Sequence, residues 1–197
     1  MQKKVRHSHP ASFNYETLAE ICDILSTAGK LNQAARAVVT YLTNHLNLKG
    51  ASLMLLNRRS KKLEIASSQG LSETYLNKGP ISSSRSIAAS LEDGPVAISN
   101  VRDDPRLQYP DEAVSEGIES ILSVPLVLRK KPLGVLRIYT SEPWEFTMED
   151  ITFMQAVALL LALVLDNIRV SGAYKTSIEA LKELRPPIRR AKRTLHE

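Results

Sequence analysis

At 197 residues the chain can bury one good core and is short for two, and its 43% hydrophobic and 24% charged residues exclude a disordered segment. Its one cysteine, Cys22, excludes an internal disulfide and a multi-cysteine zinc site, and fits a reducing, cytoplasmic setting. The net charge of +5 belongs to the ends: residues 1–9 carry three Lys/Arg and no acid, and residues 170–197 carry seven against three acids, so the body itself is slightly acidic.

The opening MQKKVRHSHP is basic without an apolar run, so no secretory signal is expected. Residues 1–12 are read as a basic segment ahead of a domain spanning 13–170. Residues 13–28 and 31–46 read as two helices. In the second, Leu31, Ala34, Ala35, Val38, Val39, Leu42 and Leu46 put one apolar stripe on one face; Leu18, Ile21, Cys22, Leu25 and Ala28 do so more weakly in the first. Gly29 stands where a left-handed cap residue is wanted.

From Ala51 the period becomes two. Ala51–Asn57 reads as a strand, Arg58–Lys61 as a turn, and Lys62–Ser67 as a strand with one wet face. Leu71–Lys78 reads as a crossover, Ser86–Leu91 as a short helix, Val96–Ser99 as a short strand, Asp103–Asp111 as a loop and Glu112–Glu116 as one helical turn. Ile121–Leu128 and Leu133–Thr140 are the strongest strand pair, with Arg129, Lys130, Lys131 and Pro132 as the hairpin turn. Helical insertions within such an order imply an antiparallel sheet and an α+β fold. Thr147 with Asp150 caps a long final helix running to about Arg169. Its greasiest stretch, Ile151–Leu165, is 15 residues, below the roughly 17–25 of a bilayer span, and reads as a buried helix. Gly172 is a break, after which 171–197 form a basic helical tail that Pro186-Pro187 ends or kinks. The charges from Lys182 to Arg193 have no aromatic residue among them, so a solvated helix is preferred over contact with nucleic acid or an anionic membrane.

Two strings carry a family resemblance. Ile98–Leu126, ISNVRDDPRLQYPDEAVSEGIESILSVPL, and the pair Leu133-Gly134-Val135-Leu136 and Glu145-Phe146-Thr147-Met148-Glu149-Asp150 resemble, in order and spacing, the corresponding words of GAF domains. The resemblance implies a PAS-like six-stranded antiparallel sheet with N- and C-terminal helices on one side and a loop-covered pocket on the other. The sixth strand would lie near Gly79–Ser82. Gly134 admits a close backbone or ligand, or marks a bulge; Pro125 requires an edge or a bulge. Asp103, Asp104 and Arg106 are expected to pin their own loop.

The specialised chemistries of that family each lack their residues. No Asn-Lys-Phe-Asp-Glu run of the cyclic-nucleotide-binding members is present. Cys22 lies outside the region where a bilin would attach, and one thiol cannot run the exchange of the sulfoxide reductases. His7, His9, His45 and His196 make no convincing metal or haem site, and Ser82, Ser83, Ser84 and Ser86 have no nucleophile elbow around them. No cofactor is named, and no enzymatic activity is expected.

The expected function is a small-molecule sensor. Its pocket lies under a 79–117 insertion, lined by Ser84, Ser86, Asn100, Arg106 and Tyr109 with walls from Ile98, Leu122 and Leu136. The alternative is a ligand-free dimerisation scaffold whose pocket is filled by side chains. With no output domain in the sequence, a separate signalling protein would receive the state. The apolar run at 156–165 points to a homodimer through the terminal helices, with Leu18, Ile21, Leu25, Leu160, Val164 and Ile168 at its interface.

Overall fold

A computed structural model describes residues 13–60, 62–79 and 94–183. In chain order the elements are α1 (Tyr15–Ser26), α2 (Leu31–His45), β1 (Gly50–Leu56), β2 (Leu63–Gln69), α3 (Glu73–Leu76), β3 (Val96–Ile98), α4 (Pro110–Ser115), β4 (Ser120–Leu128), β5 (Lys131–Thr140) and α5 (Met148–Glu183). The strands form one antiparallel sheet in the order β2-β1-β5-β4-β3. Five strands are present among the described residues where six were expected. Gly79 belongs to none of them, and 80–82 lie outside the described residues, as does the helix expected at Ser86–Leu91.

Alternation of side chains assigns each strand residue to a face. Ala51, Leu53, Leu122, Val124, Leu126, Leu136 and Ile138 point to one side, where α1, α2 and α5 cover them with Ile21, Leu25, Val38, Val39, Leu42, Met154, Val157 and Leu161. Each large aliphatic side chain so buried stabilises by about 1.5–3 kcal/mol relative to exposure, which makes this helix–sheet layer the main core. The opposite face carries Ser52 and Met54 of β1, Val135, Arg137 and Tyr139 of β5, Ile121 and Ser123 of β4, and Val96 and Ile98 of β3. Its β3–β4–β5 part lies under α3, α4 and the connecting 99–119 segment, through Tyr75, Val101, Ala113 and Ile118, while Met54 and Val135 pack with Leu63.

Local chemistry accounts for most element ends. The Asn14 side chain accepts from Thr17 N at 2.9 Å and starts α1. The end of α1 corrects the expectation for Gly29, which is not among the residues with positive φ. Ser26 Oγ donates to Asp23 O (2.8 Å) and Thr27 Oγ1 to Ile24 O (3.0 Å), so hydroxyls satisfy the last carbonyls and no left-handed residue is needed. The β4–β5 turn is tighter than expected. Arg129 and Lys130 alone form it, both at positive φ (50° and 62°), and Lys131 and Pro132 already belong to β5. Two residues at positive φ give the twist that a two-residue hairpin requires.

Gly134 sits where two backbones meet. A Cβ there would lie 2.1 Å from the Met54 carbonyl oxygen and 3.1 Å from Leu55 Cα. Its partner strand β4 is irregular between Leu126 and Val127, directly opposite. Pro125 pairs with Val135 on its β5 side, while β3 ends its pairing at Val96 opposite Ser123, so Pro125 occupies a local edge.

The start of α5 has the expected capping box: Thr147 N donates to Asp150 Oδ2 (2.8 Å) and Asp150 N to Thr147 Oγ1 (3.2 Å). Asp150, fully buried, also accepts from Trp144 Nε1 at 3.3 Å. Around this corner Phe13 stacks on Phe153 (4.7 Å) and Trp144 (5.8 Å), and Trp144 on Phe146 (5.2 Å). Every phenylalanine of the chain and its one tryptophan thus clamp the start of α1 to the start of α5. Downstream, α5 runs without a break through Gly172 to Glu183, correcting the expected division. A lone glycine costs a helix only about 1 kcal/mol, and no proline or left-handed residue reinforces it. At 1.5 Å per residue α5 is about 54 Å long. Its most apolar 18-residue window has a mean hydropathy of 2.0, yet only 39% of that window is buried. The expected all-round burial is therefore half met: Leu159 and Leu163 remain 49% and 46% exposed.

Candidate functional site

The register of three strands builds a polar row into an apolar surface. Arg137, on the central strand β5, pairs with Ser52 of β1 on one side and Ser123 of β4 on the other, so the three side chains share the face away from the helices. All are buried; Arg137 is 3% exposed. Arg137 Nε donates to Ser123 Oγ at 2.9 Å. That is its one side-chain hydrogen bond among the described residues, and no carboxylate pairs with it. Its guanidinium carbon lies 5.9 Å from the centre of the Tyr139 ring. The Tyr139 hydroxyl shares a 3.0 Å hydrogen bond with Ser52 Oγ.

Above this row lies α3. Tyr75 meets Tyr139 edge-on, ring centres 5.9 Å apart, and its hydroxyl is sealed from solvent with no hydrogen-bond partner among the described residues. Burial, above all, pushes the Tyr75 hydroxyl pKa well up. Lys78 follows the helix; its ammonium sits 3.3 Å over the Tyr75 ring centre and donates to Tyr75 O at 2.8 Å. Burial and then the charge of Arg137 push Lys78 down to about 8, against a smaller pull upward from Glu112 and Glu116. Ile98, Val101, Ala113, Ile118 and Ile121 complete an apolar surround.

The roof is pinned from both ends. Glu116, just beyond α4, accepts from Ser72 N (2.8 Å) and from Ser72 Oγ, and faces Lys49 Nζ at 3.7 Å. Burial alone would raise its pKa, but the Ser72 bonds and the Lys49 charge bring it below the ordinary carboxylate value. Arg102 pairs with Glu119, and Ser120 Oγ donates to Ser99 O at 2.7 Å.

Of the residues expected in the pocket, Ile98 lies at this site. Leu122 and Leu136 do not: they point into the helix-side core. Their neighbours Ile121 and Arg137 face the roof, because a step of one residue along a strand changes the face. Asn100 and Arg106 are exposed and brace their own loop. Asn100 Nδ2 donates to Asp103 Oδ2 (2.6 Å), and Arg106 pairs with Asp104 (2.5 Å) and reaches back to Ala97 O of β3 (2.8 Å). Tyr109 lies beside the row's roof rather than in it: its hydroxyl accepts from Gln108 (3.0 Å) and stands 2.6 Å from where a Cβ on Gly79 would be. Ser84 and Ser86 lie outside the described residues. Sequence reasoning missed Ser52, Tyr75, Lys78, Ser123, Arg137 and Tyr139. The available signal was Arg137 itself, a charge inside the otherwise apolar Leu133–Tyr139 run.

The helical face also differs in detail from expectation. Ile21 and Leu25 are buried within the chain, and Leu18, Leu160, Val164 and Ile168 are partly buried against the same core. The outward apolar residues of α5 are instead Met148, Leu159, Leu163, Val170, Tyr174 and Leu181. At 100° per residue all six fall within an arc of about 80°. An open apolar groove of about 470 Å³ between α1 and α5, walled by Phe13, Leu18, Met148 and Phe153, continues that stripe. Cys22 is exposed on α1, on the helix side of the sheet.

Comparison with known proteins places this arrangement among relatives. The chain matches the GAF domain family over residues 22–165. It is similar to the solved GAF domain of a phosphoenolpyruvate-protein phosphotransferase from Coxiella burnetii, with a TM-score of 0.71, 22% identity, and 80% of this chain and 95% of that one covered. A free methionine-R-sulfoxide reductase from Neisseria meningitidis, solved with its substrate, gives 0.71 at 20% identity over 86% of this chain and 98% of that one. A domain of a two-component sensor histidine kinase protein from Sinorhizobium meliloti gives 0.61 at 21% identity over 75% and 99%. No curated protein sequence matches the chain.

Proposed function

This chain belongs to the GAF domain family, and from that premise we propose that it is a non-catalytic sensor that binds a small molecule between the sheet and the α3–α4 roof. The observation that carries this reading is the buried polar row of Ser52, Arg137 and Ser123 beneath Tyr75, whose hydroxyl has no partner among the described residues. Buried polar groups are nearly always hydrogen-bonded, so unspent hydrogen-bonding capacity there favours a ligand over a surface filled by side chains. The reductase solved with its substrate supports small-molecule binding in this fold. The exposed Cys22, across the sheet from the row, gives no support to thiol chemistry at the site.

Output runs through the terminal helices to a second copy of the chain or a separate signalling protein. A contiguous set of bonds leads there from the roof. Ser120 Oγ donates to Ser99 O and accepts from Trp144 N, both at 2.7 Å, and Trp144 bonds Asp150 in the first turn of α5. Spatial continuity of this kind supports coupling without measuring it.

Hydrogen exchange tests the binding reading. The 94–117 part of the 79–117 insertion is expected to open far more readily than the β4–β5 hairpin, since loops and short helices lie at the low end of local stability, and to slow when ligand is present. Equal protection of the two regions in the ligand-free protein would favour the filled-pocket scaffold.

For the dimer, the exposed stripe on α5 would meet its own copy about a two-fold axis, and adjoining helices bury such a seam at shallow crossing angles. Leu163→Glu with Val170→Glu is expected to give a folded monomer by light scattering at micromolar concentration. Leu160→Glu instead lowers stability, because Leu160 packs against the core. A wild-type mass of one chain would exclude the dimer.

A further inference from the structure

Resting on the roofed site just proposed, we infer that its ligand is a small organic oxyanion whose head is held by Arg137 and Lys78 and whose apolar body packs among Tyr75, Tyr139, Ile98 and Ile121.

Arginine keeps its charge at any pH a protein experiences and offers five N–H donors. At Arg137 one of the five is used, on Ser123, and the group is 3% exposed with no carboxylate paired to it among the described residues. A buried charge held without a partner is costly, and Arg is well shaped for bidentate binding of a carboxylate or phosphate. The second cation reinforces the first. Lys78 sits over the Tyr75 ring, near enough to Arg137 for that charge to depress its pKa, and makes no ion pair among the described residues. Two cations that repel across a buried site are the complement of one anion. The sealed Tyr75 hydroxyl supplies a neutral donor beside them. The surroundings select against a bare inorganic ion, since Ile98, Val101, Ile121 and the two tyrosine rings form an apolar wall that a hydrated sphere would not use.

The site has a built-in pH dependence. The charged groups facing Lys78 are Arg137 of β5 and Glu112 and Glu116 at α4, with the Tyr75 ring beneath it. Its free value of about 8 lies below the ordinary lysine value, so Lys78 is charged below about pH 8 and neutral above it. An anion favours the charged form. Affinity is therefore full below about pH 8 and declines as pH rises through it, by the linkage of proton and ligand.

The test is calorimetric titration of the full chain with benzoate, with inorganic phosphate and with benzamide, the uncharged analogue of benzoate. Benzoate is expected to bind, phosphate less tightly, and benzamide not at all. Arg137→Met should weaken benzoate about a hundredfold, as expected when one partner of a buried charge pair is removed. Lys78→Met, a variant of a half-buried roof residue, should weaken it about tenfold and abolish the decline above pH 8. Phosphate binding more tightly than benzoate keeps the anion site and overturns the apolar body. Benzamide binding as tightly as benzoate overturns the anion inference while leaving the small-molecule reading intact. Failure of all three overturns the inference, and the hydrogen-exchange comparison then decides the sensor reading separately.

Discussion

Arg137→Met is expected to make the ligand-free protein more stable, by about 1–4 kcal/mol, the range found when buried charges are exchanged for well-packed apolar side chains of similar size. The wild-type guanidinium forfeits hydration on burial and recovers one hydrogen bond to Ser123 at 2.9 Å and a ring contact at 5.9 Å from Tyr139. Such a ring contact contributes about 0.5–2 kcal/mol, well short of the several kcal/mol that burying an ion costs. Methionine matches the length of the arginine stem and adapts to an irregular space. Its debits are the charged ring contact and the Ser123 hydroxyl, which loses a donor at about 1 kcal/mol. Chemical denaturation of the ligand-free protein measures the difference. A variant less stable than wild type by more than about 1 kcal/mol would show that the arginine is there for the fold. The combination of higher stability with lost binding is what a site held ready for a ligand predicts.

Gly134→Ala is expected to act in the opposite direction, costing about 1–3 kcal/mol or more. The added methyl would begin 2.1 Å from the Met54 carbonyl oxygen, and the atoms in its way are backbone atoms of β1 that cannot rotate aside. β1 must then move off β5. That movement breaks the pairing that holds Ser52 against Arg137 three rungs further along. The expected result is a lower thermal midpoint together with weakened ligand binding. An alanine variant within about 0.5 kcal/mol of wild type would show that β1 and β5 can part here without cost.

The amphipathic stripe of α2, the β4–β5 pair and the Thr147–Asp150 box were legible because each is a local pattern whose partners lie within a few residues. Punctuation was less reliable. Gly29 and Gly172 look like stops in the sequence, yet neither ends an element: hydroxyls close α1, and nothing else supports a break at Gly172. The proposed site departs from the sequence expectation for two separate reasons. Asn100 and Arg106 are polar residues in a covering loop, but Asn, Asp and Arg in such a turn satisfy one another and the nearby backbone. Leu122 and Leu136 were off by one strand position, which is a whole face. The helix seam was off by one residue too. Leu160 and Val164 lie 100° around α5 from the exposed Leu159 and Leu163, and the packing of α5 on β4, α1 and α2 sets that phase.

The corner at Trp144 has a consequence for how this protein can be watched. The chain has one indole, stacked between Phe13 and Phe146 and hydrogen-bonded to Asp150. All tryptophan emission therefore originates at the joint between the sheet and the long helix, with no second fluorophore of its kind to subtract. Its main-chain nitrogen is bonded to Ser120, which also holds Ser99 just beyond β3. A change of wavelength or intensity on adding a compound reports that the disturbance has reached the root of α5. A compound that binds with heat but leaves the emission untouched has filled the site without being relayed, so occupancy and transmission separate in a single cuvette.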